Sequence, residues 1–144
     1  MMWNRILVAT DGTESAQIAE KQAITLAIST HAQLFGIFVT DSTDFDQDLV
    51  EQMDQTGQAA LQRLQKAAID KGITVEVSLK FGEPVYEILM VANTIQAELI
   101  IVAPHRRNLF YHLLIQQSVT ERLVHSAPQS ILIVNASDRG VQCK

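Results

Sequence analysis

The sequence predicts a single α/β domain, doubly wound, with a five-stranded, mostly parallel sheet and about four helices. Short segments rich in β-branched residues alternate with segments whose apolar residues recur every three or four positions. Strands separated by helices pair in parallel through right-handed crossovers. The chain has 144 residues and shows no internal repeat, low-complexity segment or linker. We therefore assign residues 1–144 to one domain.

Short apolar runs carry the strand predictions. The first strand and the last two are apolar enough to be buried on both faces of a sheet. The predicted strands are Arg5–Ala9, Gln33–Val39, Thr74–Lys80, Glu98–Ala103 and Ser130–Val134.

Helical spacing of apolar residues fills the intervals between the strands. The first helix is indicated by alanines from Ala16 to Ala27, the second lies within Asp46–Lys71, and the third runs from Val85 to Ile95. The fourth, Ser118–Ser126, ends before Pro128, because the residue preceding a proline disfavours helical backbone. We expect loose structure in Asp41–Asp48 and after Ala136.

Composition excludes several classes of partner. The net charge of -5 argues against nucleic acid, which needs a basic protein surface. No apolar run reaches the roughly 20 residues that span a bilayer, so no membrane partner is expected. The segment from Met1 to Arg5 leads directly into a strand, which favours a cytoplasmic protein without a secretory signal. The single cysteine, Cys143, receives no role.

In folds of this class, ligands bind at the carboxyl ends of the strands, where the strand order reverses. The first such segment, "TDGTES", contains Gly12 for a tight turn, and either Thr13 or Ser15 to cap the helix. Asp11 stands where a carboxylate could meet a ribose hydroxyl or a metal ion. Asp-Gly is also a common turn that Asp11 would only brace. Both interpretations stay open at this point.

Several segments in this order resemble the universal stress protein family. The turn Asp11–Ser15 is similar to the family's "Asp-Gly-Ser-Glu-x-Ser" turn, and Gly82–Leu89 resembles its entry into the third helix. Ala97–Arg107 is similar to the fourth strand and its loop, and Ser118–Val134 to the last helix and strand. Together these segments cover nearly the whole chain.

The resemblance implies a five-stranded parallel domain, of the Rossmann-like type described as adenine nucleotide alpha-hydrolase-like, that forms a homodimer through its last strand. Many members bind ATP and others do not. In those that do, the adenosine lies near the positions of Asp11 and Val39. The triphosphate is held by a loop patterned Gly-x-x-Gly, nine residues, then Gly-Ser or Gly-Thr.

The loop of this chain departs from that pattern at every glycine. Ala103 and Arg106 occupy the first two glycine positions, Gln117 precedes Ser118, and the spacing is one residue longer. Side chains at these positions crowd the approach of backbone amides to phosphate, and Pro104 removes one amide donor. Of the family's phosphate-binding features, Ser118 remains at the start of a helix, where its hydroxyl and the helix dipole could hold an anion. Arg106 and Arg107 would either grip a phosphate by charge or be solvated surface residues.

The sequence therefore predicts a binding or regulatory module that resembles family members with a degenerate ATP loop. No Ser-His-Asp set, zinc spacing or Walker A loop is present, so we expect neither catalytic residues nor a metal site. No cofactor is expected; the alternative is a nucleotide-dependent switch that binds AMP, or ATP with Mg²⁺, and that could hydrolyse ATP slowly. A flavodoxin would need aromatic residues that stack on the flavin, and the loops at the strand ends offer few. A response-regulator receiver would need an acidic pair after the first strand, which the sequence does not supply. A bound nucleotide would contact five residues: Asp11, Val39, Arg106, Arg107 and Ser118.

Overall fold

A computed structural model of the chain describes residues 3–41, 46–104 and 119–135. Strands and helices alternate in these residues, as the sequence predicts. In chain order the elements are β1 (Arg5–Ala9), α1 (Glu14–Thr30), β2 (Gln33–Asp41), α2 (Gln47–Asp70), β3 (Val75–Gly82), α3 (Pro84–Thr94), β4 (Leu99–Val102), α4 (Val119–Ser126) and β5 (Ser130–Ile133).

The five strands form one sheet in the order β3-β2-β1-β4-β5, and every neighbouring pair is parallel. The chain first builds outward from β1 through β2 to β3, then crosses to the other side of β1 for β4 and β5. The strand order therefore reverses between β1 and β4. The predicted fold class, a doubly wound α/β domain with a five-stranded parallel sheet, is confirmed.

Alternate side chains of the strands build a core on each face of the sheet. Ile6 and Val8 pack with alanines of α1 and with Leu64 of α2 on one face. Leu7, which lies between them, packs with Ile88 of α3 and with residues of α4 on the other. This is the burial on both faces that the apolar runs predict for central parallel strands.

The strand boundaries differ modestly from the predicted ones. β2 and β3 each continue two residues further, to Asp41 and Gly82, and these two residues are partners in the register of the pair. Pairing with a neighbour thus extends strands beyond their apolar runs, into the polar residues at the carboxyl end of the sheet. Of the segments expected to be loose, residues 42–45 and those after Asn135 lie outside the described residues. For the rest of Asp41–Asp48 the expectation is wrong, because Asp41 ends β2, Asp46 caps α2 with its carboxylate, and α2 already begins at Gln47.

Among the described strands, β5 is at an edge of the sheet and pairs with β4 alone. Leu132 and Ile133 on it are each 39% exposed, although both are large and apolar. Within the described ranges, no helix is long and apolar enough to cross a membrane.

Candidate functional site at the carboxyl edge of the sheet

The candidate site lies at the carboxyl edge, by which we mean the residues that follow the carboxyl ends of the strands. Ala9 of β1 pairs with Ile37 of β2, and the Thr10 amide donates to the Ile37 carbonyl at 3.0 Å. Asp11 lies two residues beyond Ala9, in the turn after β1, and Val39 lies two residues beyond Ile37, in β2. The structure therefore brings these two predicted residues to the same part of the edge.

The turn after β1 is held by hydrogen bonds of its own side chains. Asp11 Oδ1 accepts from the Thr13 amide at 3.0 Å and from the Thr13 hydroxyl at 2.6 Å. The Thr13 hydroxyl oxygen accepts from the Ala16 amide at 3.2 Å, which makes Thr13 the N-cap of α1. The Gly12 amide donates to the Thr10 hydroxyl oxygen at 3.2 Å. Three backbone amides of this turn are thus directed at side chains of the chain itself.

Gly12 has a positive φ of 83°, which a residue with a side chain rarely adopts. A Cβ atom at this position would also lie 3.2 Å from the Thr56 methyl group on α2. The turn therefore packs closely against α2, and both the backbone angle and the space require glycine there.

A buried ionic network lies beneath the turn. The Thr10 hydroxyl donates to Glu20 Oε2 at 2.5 Å, and Arg63 Nη2 lies 3.1 Å from the same oxygen and 3.3 Å from Oε1. Glu20 is only 4% exposed, although it is charged. The network joins three elements: the end of β1, α1 and α2.

The end of β2 carries a second buried threonine. Thr40 is completely buried, and its hydroxyl donates to Asp54 Oδ1 of α2 at 2.6 Å. Its neighbour Val39 is half-buried and packs on the opposite face, against the core formed with α3. Val39 thus offers apolar surface at the edge, while Thr40 fixes α2 to the strand.

At the start of α3, Glu83 links two helices. Its carboxylate caps α3 by accepting from the Val85 and Tyr86 amides, and Arg122 Nη1 of α4 donates to it at 2.7 Å. Burial alone would raise the pKa of Glu83, but the hydrogen bonds from Arg122 and from the two amides outweigh it and lower the pKa. The pair positions the first turn of α4 against α3.

The carboxyl edge is rich in carboxylates. Arg122, the cation at the start of α4, is paired with one of them. No group of three or more His, Cys, Asp or Glu residues in the described part of the chain has the geometry to hold a metal ion. The acidic residues here are Asp11, Asp41, Asp46, Asp54 and Glu83.

Three of the five predicted binding residues, Arg106, Arg107 and Ser118, lie outside the described residues. The predictions that rest on them stay predictions. Sequence reasoning missed Glu20 and Arg63, which are 43 residues apart in the chain. One signal was available: Glu20 stands among the buried positions of α1, where a lone charge needs a buried partner.

Comparison with known proteins gives consistent matches. The sequence model described as "Universal stress protein family" matches residues 2–135. A universal stress protein of Methanocaldococcus jannaschii is 28% identical over 141 residues, which cover 92% of this chain and 82% of the relative.

Two solved structures share the fold. Universal stress protein UspA from Lactobacillus plantarum has a TM-score of 0.80 at 20% identity, covering 93% of this chain and 99% of its own. A universal stress protein in complex with cAMP, of unstated organism, has a TM-score of 0.77 at 22% identity, covering 95% and 100%. At sequence identities this low, the similarity to these structures shows a shared fold and nothing further.

Proposed function

Because the chain belongs to the universal stress protein family, we propose that it acts in the cytoplasm as a homodimeric binding and regulatory module. In this proposal the chain exerts its effect by contact with a second copy and with a protein partner. It works without the family's glycine-rich triphosphate loop and catalyses no reaction.

The observation that carries this proposal is the chemistry of the carboxyl edge. The amides of Gly12, Thr13 and Ala16 are directed at side chains of the chain itself. The edge also carries several carboxylates, which repel a triphosphate through Coulomb interaction. The segment after β4 begins with Ala103 and Pro104, and a proline has no amide to donate. These features favour a ligand with little negative charge over ATP.

The homodimer is proposed on the exposure of β5. Leu132 and Ile133 are 39% exposed on an edge strand, and edge strands with free backbone groups invite pairing. A second copy packed on this strand would cover both side chains. The Leu132→Lys/Ile133→Lys variant should be monomeric in light scattering at micromolar concentration, whereas the wild type should be dimeric. A monomeric wild type would refute the dimer.

The second candidate function is binding of an adenine nucleotide with few phosphates. Asp11 and Val39 together offer a carboxylate and an apolar surface at the point where the strand order reverses, which is where such folds bind ligands. A protein of the same fold was solved in complex with cAMP. Here Arg106, Arg107 and Ser118 would supply the contacts to phosphate, and bound Mg²⁺ would be needed only for ATP.

Calorimetric titration separates the two candidates. The proposed function predicts no heat of binding with ATP and Mg²⁺ up to millimolar concentration. The second candidate predicts micromolar affinity for AMP, worth roughly 8 kcal/mol. In that case the Arg106→Ala/Arg107→Ala variant should bind more weakly, and Arg5→Ala, at the opposite end of the sheet, is the matched control. Equal affinity in both variants would refute the arginine contacts.

A further inference from the structure

Glu20 and Arg63 are two charged residues that the proposed binding does not use directly. The Glu20 side chain is 5% exposed and that of Arg63 38%. Removing a carboxylate from water is costly, and apolar residues of similar size are often at least as stable in its place. Stability alone therefore does not explain this pair, and its contacts with neighbouring groups indicate its role.

What the pair holds is the Thr10 hydroxyl. This hydroxyl donates its proton to Glu20 Oε2 at 2.5 Å, so its oxygen is turned to accept from the Gly12 amide at 3.2 Å. Without the Glu20 acceptor the hydroxyl would be free to rotate. The direction of the Gly12 amide, and with it the turn that carries Asp11, depends on the Glu20 carboxylate, which Arg63 of α2 holds in place.

The contacts of α2 support this connection. Gly12 faces Thr56 and Ala60 of α2, at 3.2 Å and 3.8 Å from the position of a Cβ atom. Arg63 follows at helical spacing, so these three residues lie on one face of α2. The Nε atom of Arg63 is buried and has no acceptor among the described residues, so Glu20 is the group that orients its guanidinium.

We propose that the ion pair between the buried Glu20 carboxylate and Arg63 is a positioning device for the Asp11 turn, acting through the Thr10 hydroxyl. The pair couples α2 to Asp11, the residue that contacts the ligand in the proposed ligand site. The inference rests on the proposed site for its purpose, but the coupling itself is a property of the protein without ligand.

The test measures amide hydrogen exchange at Gly12 and Thr13 by NMR in the unliganded protein. The Glu20→Leu/Arg63→Leu variant removes both charges together, so the protein should stay folded. We expect the Gly12 amide to exchange about tenfold faster, since the Thr10 hydroxyl that accepts from it is no longer held by Glu20 and this hydrogen bond is weakened by about the net worth of one bond. The Val8 amide in β1 should keep its wild-type rate. A Gly12 rate within about twofold of wild type would overturn the proposal.

Thr10 variants provide a second route that leaves the ion pair in place. Thr10→Val removes the hydroxyl and should accelerate Gly12 exchange, whereas Thr10→Ser keeps a hydroxyl and should restore the wild-type rate. Thr40→Val is the matched control, because Thr40 is also buried and also donates to a carboxylate. An equal effect of Thr40→Val and Thr10→Val on Gly12 would overturn the proposal.

Titration of the same variants with AMP distinguishes this inference from the nucleotide function. If wild type binds AMP, the Glu20→Leu/Arg63→Leu variant should bind it several-fold more weakly. If wild type binds no AMP, the second candidate function fails, and the coupling is still decided by the exchange rates.

Discussion

Two helix starts at the carboxyl edge solve the same problem with different chemistry. The start of α1 is capped by the neutral hydroxyl of Thr13, above the Glu20–Arg63 ion pair, whose carboxylate is buried although the Arg63 side chain is 38% exposed. The start of α3 is capped by the charged Glu83, whose partner Arg122 is about one-third exposed, as Glu83 is. Water and salt screen exposed charges far more than buried ones. The turn that carries Asp11 should therefore respond less to salt than the junction of α3 with α4, because the carboxylate beneath the turn is buried.

The largest expected effect on stability comes from breaking the pair between the buried carboxylate of Glu20 and Arg63. Arg63→Leu leaves the Glu20 carboxylate buried without its cation, although the Thr10 hydroxyl still donates to it. The free energy of unfolding should fall by about 3 kcal/mol, because an uncompensated buried charge remains. Urea denaturation measures it. The Glu20→Leu/Arg63→Leu variant is the control and should recover most of the loss; an equally unstable double variant would contradict this explanation.

The next effect concerns the neutral cap. Thr13→Ala removes the acceptor of the Ala16 amide and the hydroxyl that donates to Asp11, and should cost about 1 kcal/mol of unfolding free energy, measured by urea denaturation. The loss should change little between low salt and about 1 M NaCl, where charges are strongly screened, because the cap is a neutral hydrogen bond and the substitution removes no charge. A loss that shrank strongly with salt would show that the two helix starts do not differ in the way described.

The smallest effect is on the exposed pair. Arg122→Leu should cost less than about 1 kcal/mol of unfolding free energy, and less again at high salt. Lys66→Leu, which removes a lysine of α2, is the control for the change in net charge. If the Arg122 effect were unchanged by salt, the pair would behave as a buried one.

The same pair gives a pH dependence. Although burial opposes it, hydrogen bonding from Arg122 and the two amides lowers the pKa of Glu83 in the folded state. Its contribution to stability is therefore present above the unfolded pKa, about 4.3, and is lost as the pH falls through the lower folded pKa. The stability difference between wild type and Arg122→Leu, measured by urea denaturation, should shrink below about pH 4. A difference that grew in acid would contradict the assignment.

The fold could be predicted from the sequence because its signals are local. The apolar run Arg5–Ala9 and the alanines of α1 each report their own element, and alternation of strands and helices gives the parallel sheet. The ends of β2 and β3 could not be predicted, since Asp41 and Gly82 join these strands through pairing between distant segments, whereas the predicted bounds of β1 are those observed.

The site divides in the same way. Asp11 could be placed from the sequence, because the topology sets its position after β1, and Val39 could be placed near the end of β2 because the resemblance to the family implies it. The position of Glu20 among the buried positions of α1 is a local signal of a buried partner, but that Arg63 is this partner could not be predicted, because it depends on the packing of α1 against α2. Arg122 was also missed, since its partner Glu83 is 39 residues away.

Native mass spectrometry of the protein with millimolar ATP and Mg²⁺ tests the central claim most directly, because one spectrum reports both the assembly and the bound ligand. We expect a species of twice the chain mass of 16.0 kDa with no nucleotide attached. A monomer, or a species that carries one ATP per chain, would contradict the proposed function.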